Sequence, residues 1–288
     1  MSRSHNRGVL FFILLFVGLS TLVYAYNPPQ GGEDFYRYYS PEFLSGTASV
    51  SSQESPQADA VNPAASGGQQ RTTLYGSYLV ITDFASATDF GHAANLGGTF
   101  PTRYGVFSGS LHFLTTNYTD TLSFGTLGGL NFSFAKDLFP NFYVGSGLSV
   151  VMGSFDRFDW GLWLDLGIMH FPGTLWGLKD FHWGVSLRGL GKWFDPTVSQ
   201  DVTAFPSPFT PQVGAGFNLI DARDIRLDVS TDLSFPIFQN LKLDLGAQLS
   251  FRDFLGLRTS LNRNLRELID GQPTIIIPSL GLYVNFRT

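Results

Sequence analysis

The sequence predicts an all-β protein: a transmembrane antiparallel β-barrel of about 12–14 strands with an N-terminal plug segment. Three observations carry this expectation. From Thr72 onward, segments of about ten residues alternate apolar and polar side chains, the length and period of a tilted strand with one face in lipid. The chain is 15% aromatic yet only 14% charged, against roughly 25% charge in soluble domains. The last such segment sets Leu280, Leu282, Val284 and Phe286 against Ser279, Gly281, Tyr283 and Asn285. That pattern alone also closes a soluble β-sandwich, so the other elements have to decide between them.

At the N-terminus, Arg3 and Arg7 precede the apolar run Val9 to Leu19 and the small-residue site Val23-Tyr24-Ala25. This is the layout of a secretory signal peptide. The run falls short of the roughly 20 apolar residues a spanning helix needs. Removing residues 1–25 would leave 288 less 25, or 263, residues and, with two basic groups gone, a formal charge of −7 in place of −5. The absence of cysteine excludes disulfides, a lipidated N-terminal cysteine, a catalytic thiol and a cysteine metal site.

Residues 26–71 show no sustained period of two. They hold an aromatic cluster, Phe35, Tyr36, Tyr38, Tyr39 and Phe43, and then the small-residue stretch Gly46 to Gly68. Ser40-Pro41 is a start signal for a short helical turn, with serine capping and proline in first position. Disordered leaders are poor in aromatic residues, so the segment reads as a compact plug inside the barrel rather than as a free leader.

Residues 72–288 form the barrel, with strands expected near 72–81, 91–100, 104–116, 121–135, 141–153, 159–171, 181–190, 211–220, 224–235, 239–252, 254–263 and 277–286. The clearest register sets Leu241, Leu243, Leu245, Ala247, Leu249 and Phe251 against Lys242, Asp244, Gly246, Gln248 and Ser250. Sliding it by one residue would drive charged and polar side chains into lipid, which fixes inside and outside. A split of the fourth strand at Gly128-Gly129, or a strand donated by the plug, accounts for the upper end of the strand range. The prolines between Lys192 and Pro211 keep that stretch from pairing as a central strand. Leu265 to Ile269 reads as a short helical turn.

The polar phase carries Asp165, Arg188, Arg226, Asp228, Asp232, Lys242, Asp244 and Arg258, mixed in sign. Cross-strand pairing of such charges would stiffen the interior; a lumen lined this way would alternatively recognise a charged or amphipathic solute. Gly145, Gly147, Gly161, Gly167, Gly184, Gly214, Gly216 and Gly246 share the phase and leave room for a plug or a ligand. Trp163 also points inward by register, and with Phe35, Tyr39 and Phe43 it is the candidate lining of an apolar ligand pocket. The five histidines are scattered without metal-motif spacing, no nucleophile with an activating base is signalled, and no enzyme activity, cofactor, metal or nucleic-acid partner is expected.

Ser279, Gly281, Val284 and Phe286 resemble the assembly signal of outer-membrane β-barrels, which implies the barrel-assembly machinery and outer-membrane lipid as partners. The stretch Glu54 to Gly67, small and acidic and running into Asn62-Pro63-Ala64 before the first strand, is similar to the hatch of the FadL-like outer-membrane proteins. That family includes long-chain fatty-acid transporters and shuttle proteins of a bacterial secretion system. The resemblance implies that Asn62, Pro63 and Ala64 occlude the lumen. It further implies passive uptake of hydrophobic or amphipathic small molecules such as long-chain fatty acids. The alternative is a non-conducting scaffold that docks secreted or surface proteins through the loop from Lys192 to Pro211.

Overall fold

Consecutive alternating segments joined by short turns fold back on one another, and the sheet is built from such hairpins alone. The computed structural model describes residues 40–44, 49–53, 57–82, 90–116, 125–192, 209–238, 240–252, 254–269 and 279–284. They form one antiparallel sheet of twelve strands in chain order. The strands are β1 (Thr73–Thr82), β2 (Phe90–Thr102), β3 (Gly105–Thr116), β4 (Gly125–Phe139), β5 (Phe142–Ser154) and β6 (Phe158–Leu175). Then follow β7 (Leu178–Lys192), β8 (Thr210–Asp221), β9 (Ile225–Ser234), β10 (Lys242–Phe251), β11 (Leu255–Asn264) and β12 (Ser279–Val284). No ladder joins β1 to β12 among the described residues.

Each of the twelve expected segments has its strand, with ends shifted by a few residues. The fourth does not split: Gly128 and Gly129 stay in register with Phe113 and His112 of β3. It is described from Gly125 and runs on to Phe139; residues 121–124 lie outside the described residues. Among the described residues the N-terminal segment donates no strand, so the sheet stands at the lower end of the expected range. The helical turn at Leu265–Ile269 (α2) forms, and so does α1 (Pro41–Leu44), where Ser40 Oγ accepts a hydrogen bond from the Phe43 N–H at 3.3 Å. No described helix is long and apolar enough to cross a membrane.

The sheet has two unlike faces. On β6, Gly161, Trp163, Asp165, Gly167 and Met169 are buried while Trp160, Leu162, Leu164, Leu166 and Ile168 are exposed. The bare face continues across the sheet through Leu74, Leu96, Leu111, Leu130, Leu148, Val185, Val213, Leu249, Leu257 and Leu282, all exposed. Described parts of the N-terminal segment lie against the other face, reaching β1 through Gln57 Nε2 to Ser77 Oγ (3.2 Å) and β9 through Ser49 Oγ to Asp232 Oδ1 (2.8 Å). One short segment touches strands eight places apart in the sheet, so the sheet curls around it.

The connections β2–β3, β4–β5, β6–β7, β8–β9 and β10–β11 are tight and lie at one end of the sheet; the stretches 83–89, 117–124 and 193–209 join strands at the other. The β6–β7 turn places Trp176 (φ 51°) and Gly177 (φ 85°) in the left-handed region, the geometry that matches the twist of a two-residue hairpin. A β-branched residue there is strained by about 1–2 kcal/mol. Gly177→Val is therefore expected to lower folding stability by that amount, read as an earlier unfolding midpoint in urea, whereas Gly177→Asn should lie close to the parent.

Candidate functional site

The site is built on the missing side chains of four glycines. Gly145 of β5 stands opposite Gly167 of β6, and Gly184 of β7 opposite Gly214 of β8. A Cβ at these positions would collide respectively with the Pro63 carbonyl, Asn62 Oδ1, the Val50 carbonyl and the Asp232 carboxylate. The row is a seat on which the backbone of the N-terminal segment lies directly against the sheet, an approach that glycine permits.

Two short 3₁₀ turns, Ala58–Ala60 and Ala65–Gly68, flank Asn62 and Pro63. Asn62 is fully buried. Its Nδ2 donates to the carbonyls of Val50 (2.7 Å) and Ile168 of β6 (3.2 Å), and its Oδ1 accepts from the Ala64 N–H at 3.0 Å. One side chain thus ties two parts of the segment to each other and to a strand. Pro63, with its fixed φ, carries the chain on to Ala64, which is also fully buried. At the other margin Asp232 of β9 accepts from Ser49 Oγ (2.8 Å) and the Val50 N–H (3.1 Å).

Toward the end bearing 83–89 and 117–124, an apolar layer crosses the covered face. Ala93, Leu114, Leu127, Val151 and Trp163 pack together, with Phe43, Leu79 and Ile81 against them. The structure thus brings Phe43 and Trp163 of the expected ligand set into one packed cluster; Phe35 and Tyr39 lie outside the described residues. At the tight-hairpin end, Ala58, Ala64, Ala65 and Met169 form a second cluster with Tyr143 and Phe171.

Beside this second cluster is a cavity of about 560 Å³. Ser52, Gln53 and Gln69 of the segment wall one side, and residues of β6, β7, β9 and β10 the other, among them Phe171, Asp180, His182, Arg226 and Gln248. The β7–β8 register slips between Lys179 and His182, and Asp180 adopts a φ of 49°. Irregularities of this kind re-aim side chains. Here His182 stacks on Phe171 at 5.3 Å between ring centroids and donates from Nδ1 to the Asp180 carbonyl at 2.7 Å.

The expected inward charges divide among several roles. Arg226 Nε donates to Asp228 Oδ1 (2.9 Å) along its own strand and to Asn218 Oδ1 (3.2 Å) across to β8. Asp244 stands opposite Asp232, and Lys242 opposite Ser234 and Asn264. Asp244 accepts instead from Asn262 Nδ2, and Arg258 Nε donates to Gln248 Oε1 at 3.0 Å. Asp165 accepts from Ser149 Oγ (2.7 Å) and, where the β6–β7 register slips, from the Gly189 N–H (2.8 Å), with Arg188 acting on it electrostatically. In β12, Ser279 and Gly281 pair with Ser260 and Arg258, and Val284 with Leu255; Phe286 lies outside the described residues, as do residues 1–25.

Asp59 was not singled out from the sequence, although it lies within the hatch-like stretch. It is buried at 4% exposure, next to the hydroxyl row Thr99, Ser108 and Ser133 that runs across β2, β3 and β4. Burial pushes its carboxyl from 3.8 up to about 7, against the weaker opposing influence of the Asp59 and Ala60 amides and the Ser133 hydroxyl. None of these meets the carboxyl in hydrogen-bond geometry. Asn62-Pro63-Ala64 stands out by its resemblance to a hatch motif and its place before the first strand; a lone aspartate among alanines gives no such signal. Among the described residues no group of three or more His, Asp and Glu side chains converges as a metal site requires.

No protein-family model matches this chain, and no curated protein matches it in sequence.

A carboxyl raised in the seated state holds a proton that the released segment gives up. Seating is therefore strongest below pH 4 and weakens as pH rises through the interval from 3.8 to about 7. Hydrogen exchange of residues 57–68, corrected for intrinsic rates, should show more frequent opening at pH 8 than at pH 5. In Asp59→Asn the difference should shrink; an unchanged pH dependence in that variant assigns the effect to another group.

Proposed function

We propose that the twelve strands close into an outer-membrane β-barrel, that residues 1–25 direct its export, and that residues 26–71 act as a FadL-like hatch. On this reading hydrophobic or amphipathic small molecules pass through it passively. The observation that carries the reading is the cavity whose wall is partly the segment itself, through Ser52, Gln53 and Gln69. A shift of the segment enlarges the cavity and joins it to the rest of the covered face.

The bare face supports the membrane setting. Soluble monomers rarely expose contiguous apolar patches beyond a few hundred Å², whereas exposed leucine, valine and phenylalanine recur here from β1 to β12. Tyr78, Phe90, Phe158 and Trp160 at one end, and Phe100, Tyr104, Phe139 and Trp176 at the other, fit interfacial girdles. A ligand enters from the end bearing the longer connections and meets the apolar layer around Trp163 and Phe43. It then passes to the cavity once the seat at Asn62 gives way. A second reading, a non-conducting docking scaffold, is favoured by the directed hydrogen bonds that hold Val50, Asn62 and Ala64 in the seat.

Two measurements test these readings. Leu164, on the bare face, should tolerate arginine poorly in a bilayer, with a loss of about 2–4 kcal/mol in refolding from urea into lipid vesicles. A soluble sheet would register the same substitution within about 0.5 kcal/mol. In planar bilayers, the full-length protein should be nearly silent and a variant lacking residues 26–68 should conduct. If both are silent while the heat-shifted gel band of a folded barrel persists, the scaffold reading replaces the uptake reading.

A further inference from the structure

We infer that the cavity beside the N-terminal segment binds an uncharged, hydroxyl-rich group of about sugar size. Its volume, about 560 Å³, falls within the roughly 300–1,000 Å³ of sites that take one small ligand. The chemistry of the lining narrows the class.

The charged groups at the cavity are engaged with protein partners. Arg226 is bonded to Asp228 and Asn218, Asp180 accepts from Asn218 Nδ2, and His182 Nδ1 is held by the Asp180 carbonyl. A carboxylate ligand would meet the Asp180 carboxylate on the same wall, and an ammonium ligand would have to share Asp228 and Asp180 with the Arg226 and Asn218 groups that already occupy them. Between these pairs the wall carries side-chain amides: Gln53 and Gln69 from the segment, Asn141 from the β4–β5 turn, and Gln248 from β10, the last already bonded to Arg258 and Ser250 and Gln69 to the Gln53 carbonyl. A primary amide offers an acceptor and two donors in one plane, and a hydroxyl is both donor and acceptor, so amides suit neighbouring hydroxyls rather than a single charge. The Gln53 Nε2 is buried and has no hydrogen-bond partner in the protein, a state in which few native donors are left. Phe171 and Phe181 add apolar surface that fits the C–H face of a ring.

A hydroxyl-rich group of this kind belongs either to a free sugar or polyol or to the head of an amphiphile. The second source deepens the uptake reading and rests on it; the first does not. The probes are methyl β-glucoside, octyl β-glucoside below its micelle concentration, and octanoate. They are titrated into the full-length folded protein in a sugar-free zwitterionic detergent and followed by saturation-transfer NMR. Saturable binding of methyl glucoside is expected, weakened about tenfold or more by Gln53→Leu and by Ser230→Val. Ser230→Val keeps the test valid if Gln53→Leu disturbs the segment, since Ser230 lines the cavity from β9. Tighter binding of octyl glucoside assigns the group to an amphiphile, and equal binding assigns it to a free sugar or polyol; both support the site. Absence of saturable glucoside binding, or octanoate binding as tightly and with the same response to both substitutions, overturns it. Loss of conduction in the hatch-deleted protein with glucoside binding intact in the full chain would overturn the uptake reading alone.

Discussion

A peptide backbone can lie flat on a β-sheet only where the sheet withholds its side chains, and the row Gly145, Gly167, Gly184 and Gly214 does so on four consecutive strands. Everything on the covered face follows from that contact. It brings the Pro63 and Val50 carbonyls onto the sheet and lets Asn62 reach the Ile168 carbonyl. It also sets the wall of the cavity at Gln53 and Gln69. A methyl group at Gly145, Gly167 or Gly184 would meet the segment itself, and one at Gly214 the Asp232 carboxylate that anchors it. Glycine in a strand interior costs roughly 0.5–1 kcal/mol relative to alanine, so four in a row of adjacent strands make sense only with something lying against them.

The strand pattern was open to reading because a side chain at every second position meets a different medium, and that period survives without knowledge of any partner. Residues Trp160 to Met169 display it without a break, and both the burial pattern and the pairing of β5, β6 and β7 follow it. The inward glycines were visible for the same reason. What the register could not give was which segment they face, or the bulges at Asp165 and Lys179–His182 that bring Gly189 and Asp180 into place. A bulge changes the count of residues locally, while the alternation on either side reads as before.

Charge partners were legible by face and not by identity. The inward position of Arg226, Asp228 and Asp244 follows from alternation, but their pairing depends on stagger between strands, which a single sequence does not encode. Stagger puts Asp244 against Asp232, two like charges, and each is met by neutral groups instead: Asn262 at one, Ser49 and the Val50 amide at the other. Like charges placed directly opposite are destabilising, and hydrogen bonding to each carboxylate is the available remedy. One of these two carboxylates thereby becomes an anchor of the segment.

The seat and the apolar layer hold the segment by different physics, and the difference bears on how it can move. Phe43 packs into the layer with Trp163, Leu114 and Leu127, where attraction is non-directional and tolerates small displacements. Asn62 and Asp232 hold by directed hydrogen bonds in a buried setting, where losing one partner costs about 1–3 kcal/mol. A shift of an ångström or two leaves the aromatic contact largely intact and breaks the polar one outright. The seated state is defined by Asn62, and any displacement from it would leave Phe43 as the remaining anchor. Buried beside the same seat, Asp59 adds a carboxyl whose ionisation favours such a displacement. Release at the tight-hairpin end with retention at the apolar layer is the motion that this distribution of contacts makes cheapest, and it is the motion that would widen the cavity.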